Sequence, residues 1–195
     1  MRPIVRIGKK EKNRFVLFYT STLMLYIMRH GEAEKRNSGG SDEERALTER
    51  GRKEVLTTIQ TLSRLGGRVD LVLCSPLVRA RQSAEIACEV LSLRIEPLVE
   101  ETLEPSATPY EFYSILAQRF RANHSSLLAV SHQPLVSSLI SGLLGVEDSR
   151  VSMPTSAVAG IYLQDAPGST KSSSSTFFGA GRLALLIPPP SEGSM

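Results

Sequence analysis

The chain of 195 residues has little cysteine, little histidine and no long apolar run. Its two cysteines, Cys74 and Cys88, form neither a CxxC pair nor a metal-like spacing, which predicts reduced core residues in a reducing, cytoplasmic location. Only three histidines are present, His30, His124 and His132, so we expect no structural zinc site. No run reaches the roughly 18 apolar residues of a membrane span, and none is expected.

Net positive charge is confined to the first residues. The chain carries a formal net charge of +3, whereas residues 1–23 alone carry six cations and one acid. These residues are Arg2, Arg6, Lys9, Lys10, Lys12, Arg14 and Glu11. The difference leaves residues 24–195 slightly acidic. A nucleic-acid-binding domain carries its basic face on the fold itself, so nucleic acid is not an expected partner.

We interpret residues 1–23 as a disordered basic leader or a mis-assigned upstream extension, and residues 24–195 as one domain. The basic stretch and the apolar Phe15–Tyr19 resemble the first regions of a signal peptide. However, the apolar part runs directly into the predicted strand that bears Arg29 and His30, so cleavage after it would remove a core strand. Met24 could be the true start. Attachment of the leader to a membrane surface is a weaker alternative.

Apolar runs alternate with helical patterns along the rest of the chain. The segments Leu23–Met28, Val69–Cys74 and Ser126–Ser131 are typical of buried strands, and each precedes a helix. Ala157–Leu163 and Arg182–Ile187 are predicted to be two strands joined without a helix. This order predicts a three-layer α/β/α sandwich with a mostly parallel central sheet and an antiparallel pair of strands at one edge.

Four helices are predicted between the strands. Thr48 is a good N-cap for the first helix, and Ser75 with Pro76 is typical of the start of the second. The third helix should begin at Pro109, and the fourth should follow Pro134.

Three of the strand-to-helix junctions carry basic side chains. The first contains Arg29 and His30, the second contains Arg79 in the segment after Ser75, and the third contains His132. Because the carboxyl ends of parallel strands lie at one sheet edge, we expect two guanidiniums and two imidazoles around one pocket. Arginine matches phosphate oxygens two at a time, and a histidine can attack phosphorus. The pattern indicates phosphoryl transfer.

The junctions, together with the segments 45–51 (RALTERG) and 75–83 (SPLVRARQS), resemble the histidine phosphatase (phosphoglycerate-mutase-like) superfamily. Compact size and Gln-Pro-Leu-Val after His132 are most similar to its small SixA-type phosphohistidine phosphatases. The resemblance covers roughly residues 24–189. It implies that His30 is the phosphorylated nucleophile, that Arg29, Arg79 and His132 bind the phosphate, and that neither metal nor another cofactor is needed.

Many members of this superfamily protonate the leaving oxygen with a carboxylic acid from an inserted segment. This chain has no long insert, and Glu101 and Glu104, before the third helix, are the candidate proton donors. An imidazole can leave after protonation from water, so a phosphohistidine substrate needs such an acid less than an ester does.

The leading hypothesis is therefore a metal-independent phosphatase that acts on protein phosphohistidine, such as a phosphorylated carrier domain. One alternative keeps the mechanism and takes a small phosphate ester, such as a sugar phosphate or a nucleotide. A second alternative is a non-catalytic module that docks phosphorylated partners. Arg45 could reach the pocket rim, although we predict it to be a solvated loop residue.

Overall fold

A central sheet of six strands organises the molecule. The computed structural model describes residues 5–7, 17–19, 23–35, 41–121, 125–147, 151–163 and 177–191. The central strands are β3 (Leu23–Arg29), β4 (Leu71–Cys74), β5 (Leu98–Val99), β6 (Ser126–Ser131), β7 (Val158–Leu163) and β8 (Gly181–Ile187). They lie in the order β5-β4-β6-β3-β7-β8.

The strand directions match the predicted sheet. Strands β3 to β6 run parallel to one another, whereas β7 pairs antiparallel with β3 and β8 pairs antiparallel with β7. The predicted mostly parallel sheet with an antiparallel edge pair is confirmed. β3 lies between β6 and β7 at the centre, so its carboxyl end is flanked on both sides.

Helices cover both faces of the sheet. They are α1 (Glu49–Arg64), α2 (Val78–Val90), α3 (Pro109–Arg121) and α4 (Leu135–Leu144), with a short 3-10 helix at Glu101–Leu103. Alternate residues of β3 point to opposite faces, as the pleat requires. Leu25 and Ile27 join the core beneath α3 and α4, and Tyr26 and Met28 join the core beneath α1 and α2. The three-layer sandwich is confirmed.

The two predicted helix caps have different outcomes. Thr48 caps α1, since its Oγ1 accepts a hydrogen bond from the Gly51 amide at 2.9 Å. The prediction for α2 is wrong, because this helix begins at Val78 and has no side-chain cap. The Val78 amide instead donates to the Glu43 carbonyl at 3.1 Å, so the loop before α1 supplies the missing partner. Ser75 is buried in the preceding turn.

Residues 1–23 are described only in part. Val5–Ile7 (β1) and Leu17–Tyr19 (β2) form a separate two-stranded antiparallel sheet, which differs from a wholly irregular leader. The assignment of this segment as a leader or an upstream extension stays a prediction. Among the described residues, no helix is long and apolar enough to cross a membrane.

Candidate active site

His30 lies directly after β3 and presents one unprotonated ring nitrogen. Its Nδ1 lies 2.6 Å from the Gly31 carbonyl oxygen, which can only accept a hydrogen bond. Nδ1 therefore carries the proton, and Nε2 is the unprotonated nitrogen. Arg79 donates from its Nε to this Nε2 at 3.3 Å. The structure thus fixes the tautomer in which Nε2 can act as a nucleophile.

His132 follows β6, the strand paired with β3, and its ring faces that of His30. The two ring centroids lie 4.8 Å apart. The parallel register aligns Arg29 with Ser131, and the His30 amide donates to the Ser131 carbonyl at 3.0 Å. Strand pairing therefore brings together two histidines that are about a hundred positions apart in the sequence.

Arg29 and His132 hold buried polar atoms that no described residue satisfies. Arg29 donates from Nη1 to the Met153 carbonyl at 2.9 Å, whereas its Nε has no partner among the described residues. Both ring nitrogens of His132 are likewise buried without a partner in the described ranges. Buried polar groups of this kind are uncommon and point to a ligand that completes their hydrogen bonds. A tetrahedral anion suits this mixture of cation and imidazole.

Arg79 is buried in the first turn of α2 and is clamped by a residue that the sequence analysis missed. Its Nη1 donates to the Asp42 carbonyl at 2.6 Å, and its Nη2 donates to the Asp42 carboxylate at 2.8 Å. The other oxygen of this carboxylate lies 2.7 Å from Nη1 of Arg45. The prediction that Arg45 is a solvated loop residue is therefore wrong, because Arg45 is ion-paired and its side chain is only 28% exposed.

Ser156 and Glu54 support the backbone at the end of β3. The Ser156 amide donates to the carbonyls of both Arg29 and His30 at 3.1 Å. Ser156 adopts a left-handed backbone conformation with φ of 64°, and its Oγ contacts the carboxylate of the buried Glu54 at 3.3 Å. Glu54 on α1 therefore helps to hold Ser156 against the strand that bears His30.

The two candidate proton donors lie near the site without touching it. Glu101 is exposed and Glu104 is half-buried at the two ends of the 3-10 helix turn. Ser131 donates to the Leu103 carbonyl at 2.7 Å, which ties this turn to the end of β6. In the described part of the chain, neither carboxylate is bonded to the two histidines or the two arginines. Their role as proton donors stays a prediction.

Burial keeps both histidines neutral. Desolvation lowers the pKa of His30 to about 4; the Gly31 hydrogen bond opposes this shift, and the charges of Arg79, Arg29 and Arg45 add to it. Desolvation, followed by the effects of His30 and Arg79, lowers the pKa of His132 to about 2. At neutral pH the Nε2 lone pair of His30 is therefore available without prior loss of a proton.

These lowered pKa values predict that the protein loses stability as the pH falls from about 7 to about 4. In this range the unfolded chain binds protons at His30 and His132 that the folded chain does not bind, so the free energy of unfolding decreases. For His30 alone the loss by about pH 4 is roughly 3 kcal/mol. Urea denaturation at several pH values measures this effect. The His132→Asn variant should show a shallower pH dependence, and an equally steep one would contradict the assignment.

Comparisons with known proteins identify the family of the chain. A model of the family described as "Histidine phosphatase superfamily (branch 1)" matches residues 25–104. The phosphohistidine phosphatase SixA of Escherichia coli K12 is 31% identical over 152 residues, which are 76% of this chain and 90% of that protein. The chain belongs to the histidine phosphatase superfamily. Its predicted similarity to the SixA-type proteins is confirmed, and this similarity supports phosphatase activity.

Two further matches show the extent of the likeness within the superfamily. The structure of the protein histidine phosphatase SixA complexed with tungstate superimposes with a TM-score of 0.73 at 28% identity, and covers 86% of this chain and 97% of that one. An uncharacterised protein of Picosynechococcus is 36% identical over 110 residues, which are 56% of this chain and 66% of that protein.

Among the described residues, no group of three or more His, Cys, Asp or Glu is placed to hold a metal ion.

Proposed function

We propose that this phosphatase hydrolyses phosphohistidine on a protein through a covalent intermediate on His30. The observation that carries the proposal is the placement of the unprotonated Nε2 of His30. It lies 3.3 Å from Nε of Arg79, and its ring faces that of His132 in a buried cluster. A neutral imidazole beside a cationic binding group suits attack on a phosphoryl group.

The reaction then proceeds in two displacements. Nε2 of His30 attacks phosphorus, a new phosphorus–nitrogen bond forms, and the bond to the leaving imidazole breaks while that imidazole takes a proton. Water next attacks the phosphoryl group on His30, which restores the lone pair of Nε2 and releases inorganic phosphate. Arg29 and Arg79 bind the phosphoryl oxygens, whose charge is spread over them in the transition state.

His132 changes its charge state when the substrate binds. In the free protein burial holds its pKa far below the ordinary value. A bound phosphoryl dianion favours the protonated ring and so raises this pKa. His132 can then donate a hydrogen bond to a phosphoryl oxygen.

Protein phosphohistidine fits the site better than a phosphate ester for a chemical reason. An ester leaves as an alkoxide and needs a proton from a positioned acid, whereas an imidazole accepts its proton from water. Glu101 and Glu104 make no hydrogen bond to the four pocket side chains in the described structure. The SixA protein of Escherichia coli, with which this chain shares most of its length, is named a phosphohistidine phosphatase.

We also propose that residues 24–195 carry this function as one domain, since every contact named in the site lies within it. The expected compartment is the cytoplasm, where the buried thiols of Cys74 and Cys88 would stay reduced.

Comparison of substrates tests the proposal. We expect kcat/KM for a phosphohistidine-bearing peptide to exceed that for sugar phosphates and nucleotides by about 100-fold or more, because only these esters need a general acid to protonate the leaving oxygen. The matched variants Glu101→Gln and Glu104→Gln should leave the phosphohistidine reaction unchanged. Faster turnover of an ester, with a loss in either variant, would favour the small-ester alternative. Tight binding without turnover of any substrate would favour the docking module.

A further inference from the structure

The loop between β3 and α1 places a carboxylate against the end of the buried guanidinium of Arg79. We propose that Asp42 is a positioning residue, which fixes Arg79 so that its Nε edge faces Nε2 of His30 and the phosphoryl group transferred there. This inference rests on the proposed use of Arg79 as a phosphoryl-binding group. Asp42 lies in the loop between β3 and α1 but outside the sequence motifs that indicated the pocket.

The guanidinium of Arg79 binds two different residues, Asp42 through its two Nη atoms and His30 through Nε. Asp42 takes one hydrogen from Nη1 at 2.6 Å and one from Nη2 at 2.8 Å, and Nε points to His30 at 3.3 Å. A guanidinium has five N–H donors. Three of these are bonded in the described part of the chain, which leaves two for phosphoryl oxygens while Asp42 remains bound. The forked contact with both the carbonyl and the carboxylate of one residue also prevents the guanidinium from rotating.

Asp42 is itself held in place from the opposite side. Arg45 donates from Nη1 to the Asp42 carboxylate at 2.7 Å and from Nε to the Glu34 carbonyl at 2.6 Å. The hydrogen bond from Arg45, and then that from Arg79, lowers the pKa of Asp42 although desolvation opposes the shift. The carboxylate is therefore ionised at neutral pH and bridges the two arginines.

The loop is also joined to the helix that bears Arg79. The Val78 amide, at the start of α2, donates to the carbonyl of Glu43, the residue after Asp42. The backbone thus couples the loop and the first turn of α2 next to the side-chain clamp. Asp42 and Arg79 are held together by contacts of two independent kinds.

The position of the carboxylate favours positioning over blockage of the site. The Asp42 side chain is 42% exposed and lies at the solvent end of Arg79, which is only 5% exposed. The histidine pair lies at the buried Nε edge. The Asp42 charge still acts on His132, since it opposes the desolvation that lowers the pKa of that ring; phosphate binding by an Asp42 variant therefore distinguishes positioning from blockage.

Binding of inorganic phosphate and turnover of p-nitrophenyl phosphate test this inference. We expect Asp42→Ala to weaken phosphate binding, measured by calorimetry, and to lower kcat about 10- to 100-fold, the usual effect of losing a charged hydrogen bond. Asp42→Asn keeps one oxygen acceptor and should give a smaller loss. Glu43→Gln removes the same charge from the neighbouring position and should change either quantity less than about twofold.

A double-mutant cycle separates positioning from a merely structural role. If Asp42 acts through Arg79, Asp42→Asn should cost nothing further in a protein that already carries Arg79→Met. An equal loss in both backgrounds would overturn the inference, and so would tighter phosphate binding by Asp42→Ala, the result expected of a blocking residue. Phosphate binding depends neither on a covalent intermediate nor on a phosphohistidine substrate. Failure of this inference is therefore distinguishable from failure of the proposed function.

Discussion

Replacement of His30 by alanine should lower kcat/KM on the order of 10⁴-fold or more for any phosphorylated substrate. The change removes Nε2, the atom that would form the bond to phosphorus, and loss of an attacking nucleophile is among the most costly changes an enzyme can undergo. Arg29, Arg79 and His132 remain in place in this variant. Phosphate binding should therefore be retained while turnover is lost.

Trapping of the phosphoenzyme gives the direct measurement. Rapid quenching after incubation with a labelled phosphoryl donor should yield a labelled protein whose label is lost in acid and kept in alkali, as expected of a phosphorus–nitrogen bond. His30→Ala should yield no label. His132→Ala retains the nucleophile and should still be labelled, although more slowly. Label that persists in His30→Ala, or that survives acid, would place the intermediate on another residue.

The fold could be predicted largely because its signals are local or follow from chain order. The alternation of β3, α1, β4 and α2 predicts a parallel sheet, and the apolar character of these strands predicts coverage on both faces. Thr48 could be assigned as a cap because its bond to the Gly51 amide spans three residues. The convergence of His30, Arg79 and His132 follows from the same topology, since each follows the carboxyl end of a parallel strand.

The parts of the site that could not be predicted depend on the path of a loop. Asp42 and Arg45 lie in irregular chain with no periodic pattern, and the contacts of Asp42 with Arg79 join residues 37 positions apart. The late start of α2 has the same origin, because its first amide is paired with the loop carbonyl of Glu43 rather than with a side chain of its own. The one signal in the sequence for these contacts is Asp42 itself, an acid three residues before Arg45. The same pattern is also compatible with a solvated loop.

Gly51 lies where the first turn of α1 contacts the chain that follows the His30 strand. A Cβ added at this position would lie 2.1 Å from the Glu32 carbonyl oxygen and 2.7 Å from the Glu32 amide nitrogen. Both atoms belong to the backbone, so no side-chain rotation can relieve the overlap. The Glu32 carbonyl also accepts the Thr48 amide at 3.0 Å, which ties the two segments together. The close approach requires glycine.

Gly51→Ala should therefore destabilise the protein by roughly 3 kcal/mol, because the helix and the Glu32 segment must separate. The sign is informative, since alanine in place of a helical glycine ordinarily stabilises a protein by about 0.5–1 kcal/mol. Urea denaturation measures the change, with Lys53→Ala, an exposed change in the same helix, as the matched control. Activity should fall as well, because Glu32 is two residues from His30. An unchanged or raised urea midpoint would show that the Glu32 backbone can shift at little energetic cost. Gly51 would then not be required for the position of the segment that follows His30.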